Sequence, residues 1–113
     1  MKGQLDHVAF ITTEYDWYTA FFREVFEMES YREDGQAPAR KIWFHEGIQI
    51  NEAEQEVELG KRYDHISLVV EDIPKAIAAC LEHGCKPMAK GAHWCELPNG
   101  LKLELKPKGY HDR

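Results

Sequence analysis

The chain has 113 residues, is 43% hydrophobic and 30% charged, and carries a formal net charge of −6. These values fit one compact soluble domain with a modest core. Scattered Lys and Arg exclude nucleic-acid binding through a basic footprint, and no apolar run approaches the roughly 20 residues of a membrane-spanning helix.

Met1–Gln4 runs straight into a strand pattern, so no signal peptide is expected and the protein is placed in the cytoplasm. Leu5–Ile11 alternates and is rich in β-formers, which predicts a strand. Thr12–Asp16 supplies capping residues, and Tyr18, Phe21, Phe22 and Val25 then recur at helical spacing. Met28–Glu33 reads as a strand and Asp34–Pro38 as a turn. Lys41–His45 and Ile48–Asn51 flank Glu46-Gly47 as a hairpin. Glu52–Arg62 is a charged linker with room for a helical turn.

Tyr63–Val70 is the next strand. Asp72 is placed to cap a helix, with Pro74 in its first turn and Gly84 past its end. Cys85–Met88 is a short strand. His93–Leu97 and Leu101–Leu105 flank the Pro98-Asn99-Gly100 turn, and Lys106–Arg113 is a polar tail. Cys80, Cys85 and Cys95 are odd in number and lack Cys-x-x-Cys spacing, so neither a disulfide framework nor a thiolate zinc site is expected.

The second half repeats the first. Leu5-Asp6-His7-Val8-Ala9-Phe10-Ile11 returns 58 residues later as Tyr63-Asp64-His65-Ile66-Ser67-Leu68-Val69, and the order of elements returns with it. The fold expected is α+β: one domain over 1–113, built of two βαβββ modules at about 5–52 and 63–107. Strand alternation separates two faces. Val8, Phe10, Ile48, Ile50, Ile66, Leu68, Leu103 and Leu105 form an aliphatic face that belongs beneath the helices. The opposite face gathers His7, His65, Glu104, Asn51, Gln49 and Lys102, joined through hairpin register by Trp43, Trp94 and Glu96. Polar groups and tryptophans on a helix-free face suggest the inside of a cup. Two histidines at repeat-equivalent positions, with a carboxylate on the same face, point to one divalent metal.

Leu5-Asp6-His7-Val8, Phe21-Phe22-Arg23, Tyr63-Asp64-His65-Ile66, Val70-Glu71-Asp72-Ile73 and Leu97-Pro98-Asn99-Gly100 leading to Leu103-Glu104-Leu105 together resemble the vicinal oxygen chelate superfamily of glyoxalases, bleomycin resistance proteins and dioxygenases. The resemblance covers about residues 5–107 and implies metal ligands at His7, His65 and Glu104. In glyoxalase and epimerase members the last strand of the first module adds a fourth ligand, Glu or Gln, and the position matched here by aligning Gly47 with Gly100 is Asn51. Without a fourth ligand, two His and one carboxylate form the set of extradiol dioxygenases and fosfomycin-modifying enzymes.

Neutral imidazoles and a carboxylate suit Fe(II), Mn(II), Ni(II), Co(II) or Zn(II), with open positions for a substrate bound through neighbouring oxygens. Glu96 is the candidate general base beside Glu104, and Lys102 the candidate partner of an anionic substrate group. The leading reading is a metal-dependent lyase or isomerase of glyoxalase-like type. A ring-cleaving dioxygenase is the second reading. A metal-free binding protein clasping a flat ligand between Trp43 and Trp94 is the third. A homodimer is expected, because exposed sheet edges invite pairing between subunits.

Overall fold

The structure is a computed structural model, and it describes residues 1–98 and 100–109. The chain divides into two compact units, residues 7–64 and residues 65–113, the second also taking in residues 1–6.

The first unit contains most of β1 (Gln4–Thr12), then α1 (Tyr15–Phe26), β2 (Ser30–Asp34), β3 (Lys41–Phe44) and β4 (Ile48–Glu52). Its strands lie in the order β2-β3-β4-β1, with β1 parallel to β4 and the other pairs antiparallel. The second unit repeats this with β5 (Tyr63–Val70), α2 (Ile73–Glu82), β6 (Lys86–Pro87), β7 (Trp94–Glu96) and β8 (Lys102–Pro107), in the order β5-β8-β7-β6. Again only the first and last strands, β5 and β8, run parallel. Each unit is therefore a mixed βαβββ sheet, and the fold is α+β as the repeat requires. A 3-10 turn at Leu59–Lys61 supplies the helical turn of the linker.

Helix α2 matches its sequence signals. Asp72 accepts a hydrogen bond from the Lys75 backbone N–H at 3.1 Å, and Gly84 takes the left-handed conformation beyond the helix with φ of 102°. Helix α1 departs from them. No side chain caps it, and Thr12 Oγ1 instead accepts from the Glu14 N–H before the first turn. The buried stripe is Tyr15, Thr19 and partly Tyr18 and Phe22, whereas Val25 is 59% exposed. Val25 and Phe26 in the last turn thus lie outside the core. Tyr15, Ile42, Phe44 and Ile50 form that core, with Phe10, Phe22, Met28 and Ile48 packed around it.

Arg40 links α1 to the end of β4. Its guanidinium donates to both oxygens of Glu52 at 2.8 and 2.7 Å and to Asp16 at 2.9 Å, while stacking over Tyr15 at 4.3 Å. Strand β8 extends through Pro107, so Lys106 belongs to the sheet and not to a tail. Asn99 and His111, assigned to a turn and the tail, lie outside the described residues.

Candidate functional site

In the second unit, strand alternation and register assemble one polar face. Parallel pairing sets Lys102 beside His65 and Glu104 beside Ser67, and antiparallel pairing sets Trp94 beside Glu104 and Glu96 beside Lys102. Both prospective ligands are buried, His65 at 4% and Glu104 at 8% exposure. His65 Nε2 and Glu104 Oε1 stand 3.5 Å apart. That is long for a hydrogen bond. It matches two donors aimed at one ion, since ligand atoms about 2.1 Å from a metal at octahedral to tetrahedral angles lie roughly 3.0–3.4 Å from each other. A borderline nitrogen and a hard oxygen suit a first-row divalent ion.

Three neighbours shape this pair. Lys106 Nζ lies 3.4 Å from Glu104 Oε2, on the oxygen turned away from His65. The Ser67 hydroxyl, fully buried in the strand position beside Glu104, finds no hydrogen-bond partner among the described residues. A buried hydroxyl left in that state is costly unless a bound group completes it. Trp94 packs edge-on against the His65 ring at 4.9 Å and carries Lys90 over its own ring at 4.2 Å. At 6% exposure it braces the imidazole and offers no open face to a flat ligand. Lys106 keeps the strand parity of Lys102 and Glu104, and that alternation was the signal that could have included it.

In the first unit, His7 is 2% exposed on β1. Two residues along that strand Ala9 pairs with Gln49, which on its other side pairs with Trp43. The equivalent positions in the second unit are Ser67, Glu104 and Trp94. Gln49, rather than Asn51, is therefore the register counterpart of Glu104. Asn51, expected at that position, lies two residues further along β4, and its Oδ1 accepts a hydrogen bond from Gln49 Nε2 at 2.8 Å. Gln49 is buried, and Trp43 is half-buried with the Arg32 guanidinium 4.6 Å above its ring.

The remaining candidates are placed as follows. Glu96 and Lys102 are half-buried cross-strand neighbours of opposite charge. His45 is half-buried against Tyr31, their rings 5.1 Å apart. The exposed His83 ring donates to the Ala79 carbonyl at 2.8 Å at the end of α2. His93 lies 6.0 Å from the Trp94 ring. Asp6, read as a strand-entry residue, is buried.

Among solved structures the chain is similar to a hypothetical protein from Bacillus halodurans C-125, with a TM-score of 0.74, 16% identity and coverage of 100% of this chain and 99% of that one. It is also similar to a methylmalonyl-CoA epimerase in complex with methylmalonyl-CoA and NH4+, with a TM-score of 0.71, 16% identity and 97% coverage of both chains. A halotolerant catechol dioxygenase matches with a TM-score of 0.69 and 16% identity, over 91% of this chain and 39% of that one. Neither a family model nor a curated protein matches at the level of sequence. The fold is that of the vicinal oxygen chelate superfamily, to which the epimerase and the dioxygenase belong. No helix among the described residues is long and apolar enough to cross a membrane.

Proposed function

We propose that the protein is a divalent-metal-dependent lyase or isomerase acting on a small substrate held through two neighbouring oxygens. His7, Gln49, His65 and Glu104 are the proposed ligands. The observation that carries the reading is the strand register that puts Gln49 in the position of Glu104. A set of two imidazoles, one amide oxygen and one carboxylate is of the four-ligand kind that the resemblance assigns to glyoxalases and epimerases. It differs from the three-ligand set of extradiol dioxygenases. The burial of Trp94 weighs against the metal-free clasp.

When bound, a divalent ion supplies Lewis-acid stabilisation of negative charge on the substrate oxygens. The chain's own residues do the rest. Lys106 and the His65 pairing hold the Glu104 carboxylate in place. Glu96 removes the proton next to the substrate carbonyl as general base, and Lys102 beside it receives an anionic substrate group. Methylmalonyl-CoA, bound by one of the structural neighbours, is a substrate of this type.

The test is metal analysis of the purified protein, followed by incubation with methylmalonyl-CoA or an α-ketoaldehyde thiol adduct in D2O. Metal-dependent deuterium uptake next to the carbonyl, lost in His65→Ala and Glu96→Gln, supports the proposal. Oxygen consumption with catechols would replace it by the dioxygenase reading, and absence of any bound metal by the binding-protein reading.

The protein is further proposed to be a homodimer in the cytoplasm. Trp17, Val25 and Phe26 on α1 are each more than half exposed, an apolar surface suited to a subunit contact. Light scattering checks the dimer. If the modules pair between chains, mixing His7→Ala with His65→Ala subunits regenerates metal binding that neither variant shows alone.

A further inference from the structure

Three elements of the second unit bring their cysteines to one place. At the end of α2 the Cys85 N–H donates to the Cys80 carbonyl at 3.1 Å and the Gly84 N–H to the Leu81 carbonyl at 3.1 Å. This is the Schellman arrangement, which folds the second residue past the helix cap back over the residue two before the last helical one. Those two positions are Cys85 and Cys80, so the helix ending itself sets one thiol upon the other. Strand β7 supplies the third. Cys95 pairs with Leu103 and lies on the face beneath α2, opposite to the face that carries Trp94 and Glu104.

The three sulfurs all lie within 4.8 Å of one another. Three thiolates around one ion at a metal–sulfur distance of about 2.3 Å stand roughly 4 Å apart in a trigonal plane. Small side-chain rotations reach that spacing. Among the described residues no imidazole or carboxylate joins the group. An all-sulfur, three-coordinate site selects a soft ion over the borderline divalent ions suited to His65 and Glu104.

We propose that Cys80, Cys85 and Cys95 form a second metal site, for a soft thiophilic cation of the copper(I) class. Each thiol gives up its proton to solvent as its sulfur–metal bond forms, and no atom changes oxidation state. Cys95 is fully buried, and its thiol is pushed up to about 12, first by burial and then by the neighbouring sulfurs of Cys80 and Cys85. Metal uptake at Cys95 therefore releases its proton.

The test uses the full chain carrying His65→Ala, reduced and free of oxygen, with copper(I) supplied as its coloured bicinchoninate complex. The expected result is withdrawal of one copper(I) per chain with release of protons. Adding Cys80→Ser or Cys85→Ser, both at half-buried positions, should weaken retention by more than the roughly 10–100-fold lost when a group that merely supports a ligand is removed. Equal retention by the serine variants, or none by the parent, would mean that the thiols only pack against each other. A second measurement needs no cysteine variant. In the wild-type chain copper(I) should protect all three cysteines from iodoacetamide, and alkylation unchanged by copper would overturn the site.

Discussion

The side-chain amide of Gln49 donates to Asn51 Oδ1 at 2.8 Å, which fixes which end of that amide is left for a ligand role. With its nitrogen engaged, Gln49 presents its carbonyl oxygen, the only atom of the amide that binds a cation. Gln49→Ala is expected to lower metal affinity by more than Asn51→Ala, and Asn51→Ala by about 10–100-fold, as for other groups that orient a ligand. Gln49→Glu should raise affinity by adding charge. Competition against a metal-buffering chelator measures all three, and an Asn51→Ala effect larger than that of Gln49→Ala would restore Asn51 as the ligand.

Metal should stabilise the fold. Ligand at a hundredfold excess over Kd adds about 2.7 kcal/mol, which for a chain of this size is a rise in Tm on the order of 10 °C. Melting with metal and with chelator should differ by that amount in the wild type. The difference should vanish in His65→Ala and in Glu104→Ala.

Glu52 gives the protein an acid-sensitive clamp. The hydrogen-bonded guanidinium of Arg40 holds the Glu52 carboxyl below its ordinary range, against a smaller opposing effect of burial. A depressed folded-state pKa contributes stability above the unfolded value, and that contribution is lost as pH falls through the folded value. Glu52→Gln should therefore lower Tm at neutral pH, and the gap from wild type should close on acidification below the ordinary carboxylate range. Thermal melts of the two proteins across pH 7 to about 3 check the sign.

Phe44 is 1% exposed between β3 and α1, in the centre of the first core. Phe44→Ala should cost about 3–5 kcal/mol, seen as a fall in the urea midpoint. The same change at Phe26, which is 57% exposed, should cost little in the isolated fold and should act on subunit association instead.

Much of this architecture was legible in the sequence. The repeated Asp-His strand starts gave the two modules, and the Asp72, Pro74 and Gly84 signals gave α2 its limits. Strand alternation put His65, Glu104, Trp94 and Glu96 on one face of their unit and Gln49, Asn51 and Trp43 on one face of theirs. The register counterpart of Glu104 was not legible, because it depends on loop length. The loop between β3 and β4 is three residues, 45–47, and that between β7 and β8 is five, 97–101. Gly47 therefore adjoins its strand whereas Gly100 does not, and matching the two glycines displaced the alignment by two residues. An even displacement preserves the face and changes only the neighbour. The Cys80–Cys85–Cys95 group was hidden for a related reason: a helix ending and a hairpin, rather than a spacing motif, bring it together.

The edge-on packing of Trp94 against His65 makes that indole an internal optical probe. Trp94 is the buried tryptophan of the three, with Trp17 57% exposed and Trp43 half-buried. Its emission should be the bluest component of the spectrum. A paramagnetic ion, if held by the imidazole packed 4.9 Å from that ring, would darken the fluorophore selectively. Occupancy at His65 can thus be followed by intrinsic fluorescence, without a label and without turnover.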